Sequence, residues 1–218
     1  MLEVIQPISK RDQVVRAMKG AILSGSITPG AAIVEARVAQ QVGAGIPLVR
    51  EALIELEHHG FVQRTPYKGT TVTKLEPADI KQIFRLRVEL EGLAMAWAGE
   101  NVTPADIVEL RAVIKTMEQA ADDLNMDLFY ESDLAFHRKI WIMSGNSYLV
   151  DALERVVVPL FAFFVMKTKR EPESYTESAV MHGKIVEAMS QMGATELSGL
   201  MKSSLSGWKE DMLKLLFS

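Results

Sequence analysis

Glu35-Ala-Arg-Val-Ala-Gln-Gln-Val-Gly43-Ala-Gly-Ile-Pro47-Leu-Val-Arg50-Glu-Ala-Leu-Ile-Glu-Leu-Glu-His-His-Gly60-Phe-Val-Gln-Arg64-Thr-Pro-Tyr-Lys-Gly69-Thr-Thr-Val-Thr73 is the stretch that decides the fold. Val38, Ala39 and Val42 share one face at helical spacing and Gly43 closes the segment, which predicts a short helix over 35–42. Gly43-Ala-Gly-Ile-Pro47 makes a tight break. A longer helix follows from about Pro47, a residue suited to a first turn, with Val49, Ala52, Leu53 and Leu56 apolar and Gly60 as its stop. Beyond Gly60 the helical period gives way to two short, β-branched runs, 61–64 and 70–73, separated by Thr65-Pro66-Tyr67-Lys68-Gly69; these predict a hairpin.

Working outward, Ser9 followed three residues later by Asp12 signals a helix start, and Val14, Val15, Met18, Ile22 and Leu23 carry that helix to Gly25. Thr28-Pro29-Gly30 is a turn. Helix, short helix, tight turn, helix, hairpin is a winged helix-turn-helix. From Glu76 onward no strand pattern recurs, and six helical segments are predicted: 77–99, 104–119 with Thr103 as cap, 126–144, 147–169 with a kink at Pro159, 174–192 and 195–216. The fold class is therefore mainly α, a winged helix-turn-helix over 1–75 followed by an all-helical bundle of about six helices over 76–218.

The whole chain of 218 residues is 48% hydrophobic and 24% charged, values of an ordinary folded domain that exclude disordered and collagen-like classes. It has no cysteine, which removes disulfides, thiolate metal sites and cysteine nucleophiles. The longest apolar run, 156–166, contains Pro159 and falls far short of the roughly 20 residues a membrane span needs. The N-terminus has no signal-peptide core, so the expected location is the cytoplasm and no membrane partner is expected. Net charge is −4 overall but unevenly spread. Residues 1–75 hold nine Lys/Arg against six Asp/Glu, and the remainder fifteen against twenty-two. Such asymmetry fits a first part that meets nucleic acid and a second that does not.

A helix-turn-helix reads duplex DNA by laying its second helix in the major groove with the N-terminal end at the base edges. Gly45, Ile46, Pro47 and Arg50 form that end here. Arg37 on the preceding helix and Arg64, Tyr67, Lys68 and Gly69 at the wing tip are placed for phosphate or minor-groove contact. The bland alternative is a basic, solvated surface on a small interaction domain. His58 and His59, at the end of the helix, read as dipole partners rather than ligands.

In the bundle, Asp133 and His137 stand four apart in Glu131-Ser-Asp-Leu-Ala-Phe-His-Arg138, so both leave one helix face a turn apart and can chelate a divalent ion. His182, in Met181-His-Gly-Lys184, has apolar neighbours on its own segment. If these helices face a common interior, two imidazoles and a carboxylate converge there. The alternatives are a metal-free polar pocket and histidines that are simply satisfied core residues.

Ala21-Ile-Leu-Ser-Gly25, Pro29-Gly30, Val42-Gly43, Val49-Arg-Glu-Ala-Leu53, Leu56-Glu57, Gly60-Phe61-Val62 and Gly69 together resemble the DNA-binding domain of GntR-family bacterial transcription regulators. The helical remainder resembles the FadR-like subfamily, whose FCD domain binds a small effector. The chain departs from the family where Ser-Arg-Thr-Pro usually precedes the Val-Arg-Glu-Ala-Leu run: it has Gly45-Ile46-Pro47-Leu48, without the hydroxyl cap and without an arginine at Ile46. The resemblance implies that Asp133, His137 and His182 match three of four metal ligands, the fourth falling on Ser204, a poor ligand. It implies a divalent ion of the Zn, Ni or Mn class, or a pocket in which the histidines and Ser204 bind an anion directly. It also implies that Arg87, in Phe84-Arg-Leu-Arg-Val-Glu-Leu-Glu91, pairs the carboxylate of a small metabolite. Arg85, on a different face, is expected at the surface.

The expected function is that of a metabolite-responsive regulator that binds operator DNA as a homodimer. The competing reading is a metal-dependent enzyme using Asp133, His137 and His182, since two histidines and a carboxylate are also the ligand set of non-haem iron oxygenases. No Walker loop, nucleophile elbow or dinucleotide fingerprint accompanies it.

Overall fold

Capping and apolar spacing set each element of the N-terminal part. In the computed structural model, which describes residues 8–168 and 172–217, Ser9 accepts from the backbone N–H of Asp12 at the start of α1 (Lys10–Leu23), and Val14, Met18 and Ile22 bury its inner face. α2 (Glu35–Val42) stops at Gly43, whose φ of 65° is the left-handed conformation that favours glycine. α3 (Ile46–His58) begins at Gly45 with no side-chain hydrogen bond at its cap. It buries Val49, Ala52, Leu53 and Leu56 against α1, α2 and the first hairpin strand. β2 (Val62–Thr65) and β3 (Gly69–Val72) pair antiparallel, Val62 opposite Val72.

The sheet has one strand more than the sequence predicts. β1 (Ala32–Ile33) lies on the outer edge of β3, Ala32 opposite Thr71, which gives the order β1-β3-β2. Two residues are too few to show a period, so only the pairing makes this segment a strand.

The second part is helical throughout its described residues, in six segments: α4 (Pro77–Asn101), α5 (Pro104–Asp122), α6 (Met126–Met143), α7 (Ser147–Thr168), α8 (Pro172–Met189) and α9 (Ala194–Phe217). Thr103 and Asp106 close a capping box at the head of α5, and the Asn125 side chain caps α6. α7 is buried nearly all round from Val157 to Met166, as a central helix must be, and helical geometry continues through Pro159. Lys169, the expected end of that helix, and the N-terminal residues 1–7 lie outside the described residues.

α4 packs along α9, α5 along α6 and α8, and α7 against α4, α6 and α9. Gly92 and Gly99, two turns apart on α4, let α9 come close. A Cβ on Gly99 would lie 2.5 Å from Leu197 Cδ1, and one on Gly92 2.8 Å from Lys202 Cγ. By contacts the chain divides into two compact units, Met1–Lys74 and Leu75–Ser218. Among the described residues no helix is long and apolar enough to cross a membrane.

Candidate functional site

Helix α6 turns Ser132, Asp133, Phe136, His137, Ile140 and Trp141 inward, so Asp133 and His137 project from one face into the interior. His182 of α8 meets them there, its Nε2 lying 3.1 Å from His137 Nε2 and 3.1 Å from Asp133 Oδ1; Asp133 Oδ1 is 4.0 Å from His137 Nε2. Aromatic rings wall the group: Phe136 stands edge-on to His182 and Phe161 to His137, at centroid distances of 4.4 and 5.0 Å.

The outer nitrogens fix the tautomers. His137 Nδ1 is 2.7 Å from Glu91 Oε2. Burial pushes the Glu91 carboxyl up, but the Arg87 guanidinium and the hydrogen bonds from His137 and Arg87 outweigh it and hold that carboxyl well below the usual carboxylate range. An ionised carboxylate can only accept, so Nδ1–H of His137 donates to it. His182 Nδ1 is 2.6 Å from the Ser178 carbonyl oxygen, which likewise only accepts. In their neutral forms both rings therefore aim Nε2 lone pairs at one point, beside an Asp133 Oδ1 that is buried without a hydrogen-bond partner. In those forms three acceptors converge with no donor between them, an arrangement suited to a cation.

Ligands at about 2.0–2.2 Å around a tetrahedral ion sit roughly 3.3 Å apart, close to two of the three separations here. The His137 Nδ1–Glu91 and His182 Nδ1–Ser178 hydrogen bonds are the outer contacts that metal-bound histidines ordinarily make. The residues present therefore fit a divalent ion.

Arg87 is buried at 2% exposure, and its Nε donates to Glu91 Oε1 at 2.6 Å. A carboxylate that its burial demands is thus supplied by the chain itself. Its Nη1 remains buried without a partner, and the guanidinium sits over the rings of Phe161, Phe84 and Trp208. Glu91, 1% exposed, bridges Arg87 to His137 and was missed in the sequence reading, although its i, i+4 spacing from Arg87 was a signal. Ser204 is half-buried on α9 and forms no hydrogen bond with the described residues. Arg85 is exposed.

In the other unit, Gly45, Ile46, Pro47 and Arg50 are exposed at the head of α3, and Arg37 is exposed on α2. Arg50 Nε donates to Glu35 Oε2 at 2.7 Å, which holds the side chain across the face of the helix pair. At the wing, Arg64 pairs loosely with Glu57 at 3.7 Å, while Tyr67 and Lys68 are fully in solvent. Tyr67 and Gly69 both take positive φ, 63° and 87°, and so form the tight tip of the hairpin. His58 closes the last turn of α3, and His59 caps it with Nε2 3.9 Å from Glu55.

Residues 82–206 match the FCD domain family and residues 10–72 the gntR family of bacterial regulatory proteins. The chain belongs to the FCD-domain regulators of the GntR family, whose members are transcription regulators rather than enzymes. It is 31% identical over 146 residues to the HTH-type transcriptional regulator McbR of Escherichia coli, covering 67% of this chain and 66% of McbR, just under two thirds of that relative's length. It is 24% identical over 155 residues to the HTH-type transcriptional repressor RspR of E. coli, covering 71% of this chain and 67% of RspR. The solved structure of E. coli McbR/YncC superposes with a TM-score of 0.73 at 23% identity, over 97% of this chain and all of that one, and shows the same fold.

Proposed function

We propose that this chain is a cytoplasmic transcription regulator that binds operator DNA as a homodimer and whose DNA affinity is set by a small carboxylated metabolite. Residues 1–75 read DNA through α2, α3 and the wing, using Arg37, Gly45, Ile46, Pro47, Arg50, Arg64, Tyr67, Lys68 and Gly69. Residues 76–218 dimerise and sense the metabolite. A single short recognition helix makes few base contacts, and two half-sites read together multiply the specificity, which is the physical case for a dimer.

The observation that carries the sensing role is the buried meeting of Asp133 Oδ1 with two imidazole Nε2 atoms whose opposite nitrogens are already committed. Asp133, His137 and His182 would hold a Zn, Ni or Mn ion there, and such an ion would supply a Lewis-acid site for a carboxylate oxygen. The buried, unpartnered Nη1 of Arg87 is the donor left for the same carboxylate. The ligand shifts DNA affinity by stabilising one of two conformations of the protein.

The test is elemental analysis of gently purified protein, followed by titration of a selected operator with and without a chelator and a panel of small carboxylates. Bound metal, and an operator affinity that a carboxylate changes severalfold, are the expected results. A protein free of metal, indifferent to added Zn and indifferent to every carboxylate refutes the sensing role.

A further inference from the structure

The exposed face of α3 is not the uniformly polar surface a solvated helix presents. Ile46, Arg50 and Ile54 follow one another at intervals of four along it, and the two isoleucines are 38% and 53% exposed. Exposed cations stand on the strip and on the elements packed against α3: Arg50 itself beside the exposed Glu51, Arg37 on α2, and Lys68 with the Glu57-paired Arg64 on the wing. Among the described residues Arg37 and Lys68 form no ion pair, so their charge is available to a polyanion. Arg50 is braced through Nε by Glu35 and remains mostly exposed.

A surface that is cationic around its margin and apolar at the leading end of the helix matches a groove with phosphate walls and an apolar spot on its floor. Among the base edges of the major groove only thymine offers one, its C5 methyl group. Resting on the DNA-binding reading above, we infer that Ile46 is a specificity-determining residue that selects thymine through that methyl. Four residues of helix rise about 6 Å, so the thymine lies within about two base pairs of the position Arg50 meets.

The experiment selects the preferred site of the full chain from a random duplex pool. That site is then remade with each thymine in turn replaced by deoxyuridine, which keeps the base pair and removes the methyl. One position per half-site should lose about fourfold in affinity, the worth of one buried methyl-sized group. The penalty should vanish in Ile46→Ala and persist in Ile46→Val. Ile46→Arg should exchange thymine for guanine at that position. Ile46 lies outside the buried face of α3, and an unchanged melting temperature checks that each variant is folded. Indifference to uracil at every position, or a penalty that survives Ile46→Ala, overturns the inference while DNA binding stands. A pool that yields no enriched sequence overturns the inference together with the reading it rests on.

Discussion

Replacing Glu91 with glutamine changes almost no volume yet removes an arrangement that only a carboxylate can make. Glu91 Oε1 accepts from Arg87 Nε at 2.6 Å, and Oε2 accepts from His137 Nδ1 at 2.7 Å with Trp141 Nε1 at 3.4 Å. Glutamine has one acceptor and two donors, so it can serve the arginine or the histidine but not both. Either way the buried guanidinium loses its counter-charge, and if the amide oxygen keeps His137 it loses its hydrogen bond as well; removing one partner of a buried pair costs roughly 3–5 kcal/mol. If it keeps Arg87, its amide faces His137 Nδ1 and forces the proton to Nε2, where the lone pair is needed to bind a cation. Glu91→Gln should therefore lower the free energy of unfolding in urea by about 3 kcal/mol. It should also weaken zinc binding, measured by competition with a chelator, roughly 10–100-fold, as loss of such outer hydrogen bonds does elsewhere. A variant within about 0.5 kcal/mol of the parent and with the same zinc affinity would show that the bridge contributes nothing.

Arg50→Ala should weaken operator binding by about 1–3 kcal/mol in fluorescence anisotropy with an unchanged circular dichroism spectrum, and an unchanged affinity would remove Arg50 from the reader. Gly99→Val places methyls where Leu197 already sits and should cost about 1–3 kcal/mol in urea unfolding; an unaltered midpoint would mean that α9 can move aside freely. Hydrogen bonds from Thr103 and Lys139 lower the Asp106 carboxyl to about 2 from its ordinary 3.8. A depressed carboxylate stabilises the fold above its unfolded value and loses that contribution as the pH falls through the folded one. The melting-temperature gap between parent and Asp106→Asn should therefore be full at pH 5 and narrow between about pH 4 and 2, and a gap that stays constant would exclude the ionised cap.

The helices were legible because each carries its own punctuation. Ser9, Gly43 and Thr103-Pro104 mark ends by local chemistry that tertiary packing leaves in place. β1 was hidden because its two residues become a strand only by pairing with Thr70 and Thr71, nearly forty positions on. In the helical unit, the i, i+4 spacing of Asp133 and His137 announced a shared face, but nothing local to His182 says that α8 brings it to them; the family resemblance supplied that. Glu91 escaped notice for the opposite reason. A glutamate four residues after an arginine on a helix usually signals an exposed pair, and only burial turns this one into a bridge between α4 and α6.

The seam between α4 and α9 has a consequence for how the molecule is made. The first and last helices of this unit are partners, and Trp208, near the end of the chain, lies over the Arg87 guanidinium near its beginning. During synthesis α4 emerges more than a hundred residues before α9, so the side of it that α9 covers stays bare until translation is nearly finished. A nascent chain halted before α9 would carry a finished N-terminal head on an unclosed body, with the Arg87 guanidinium lacking its Trp208 cover.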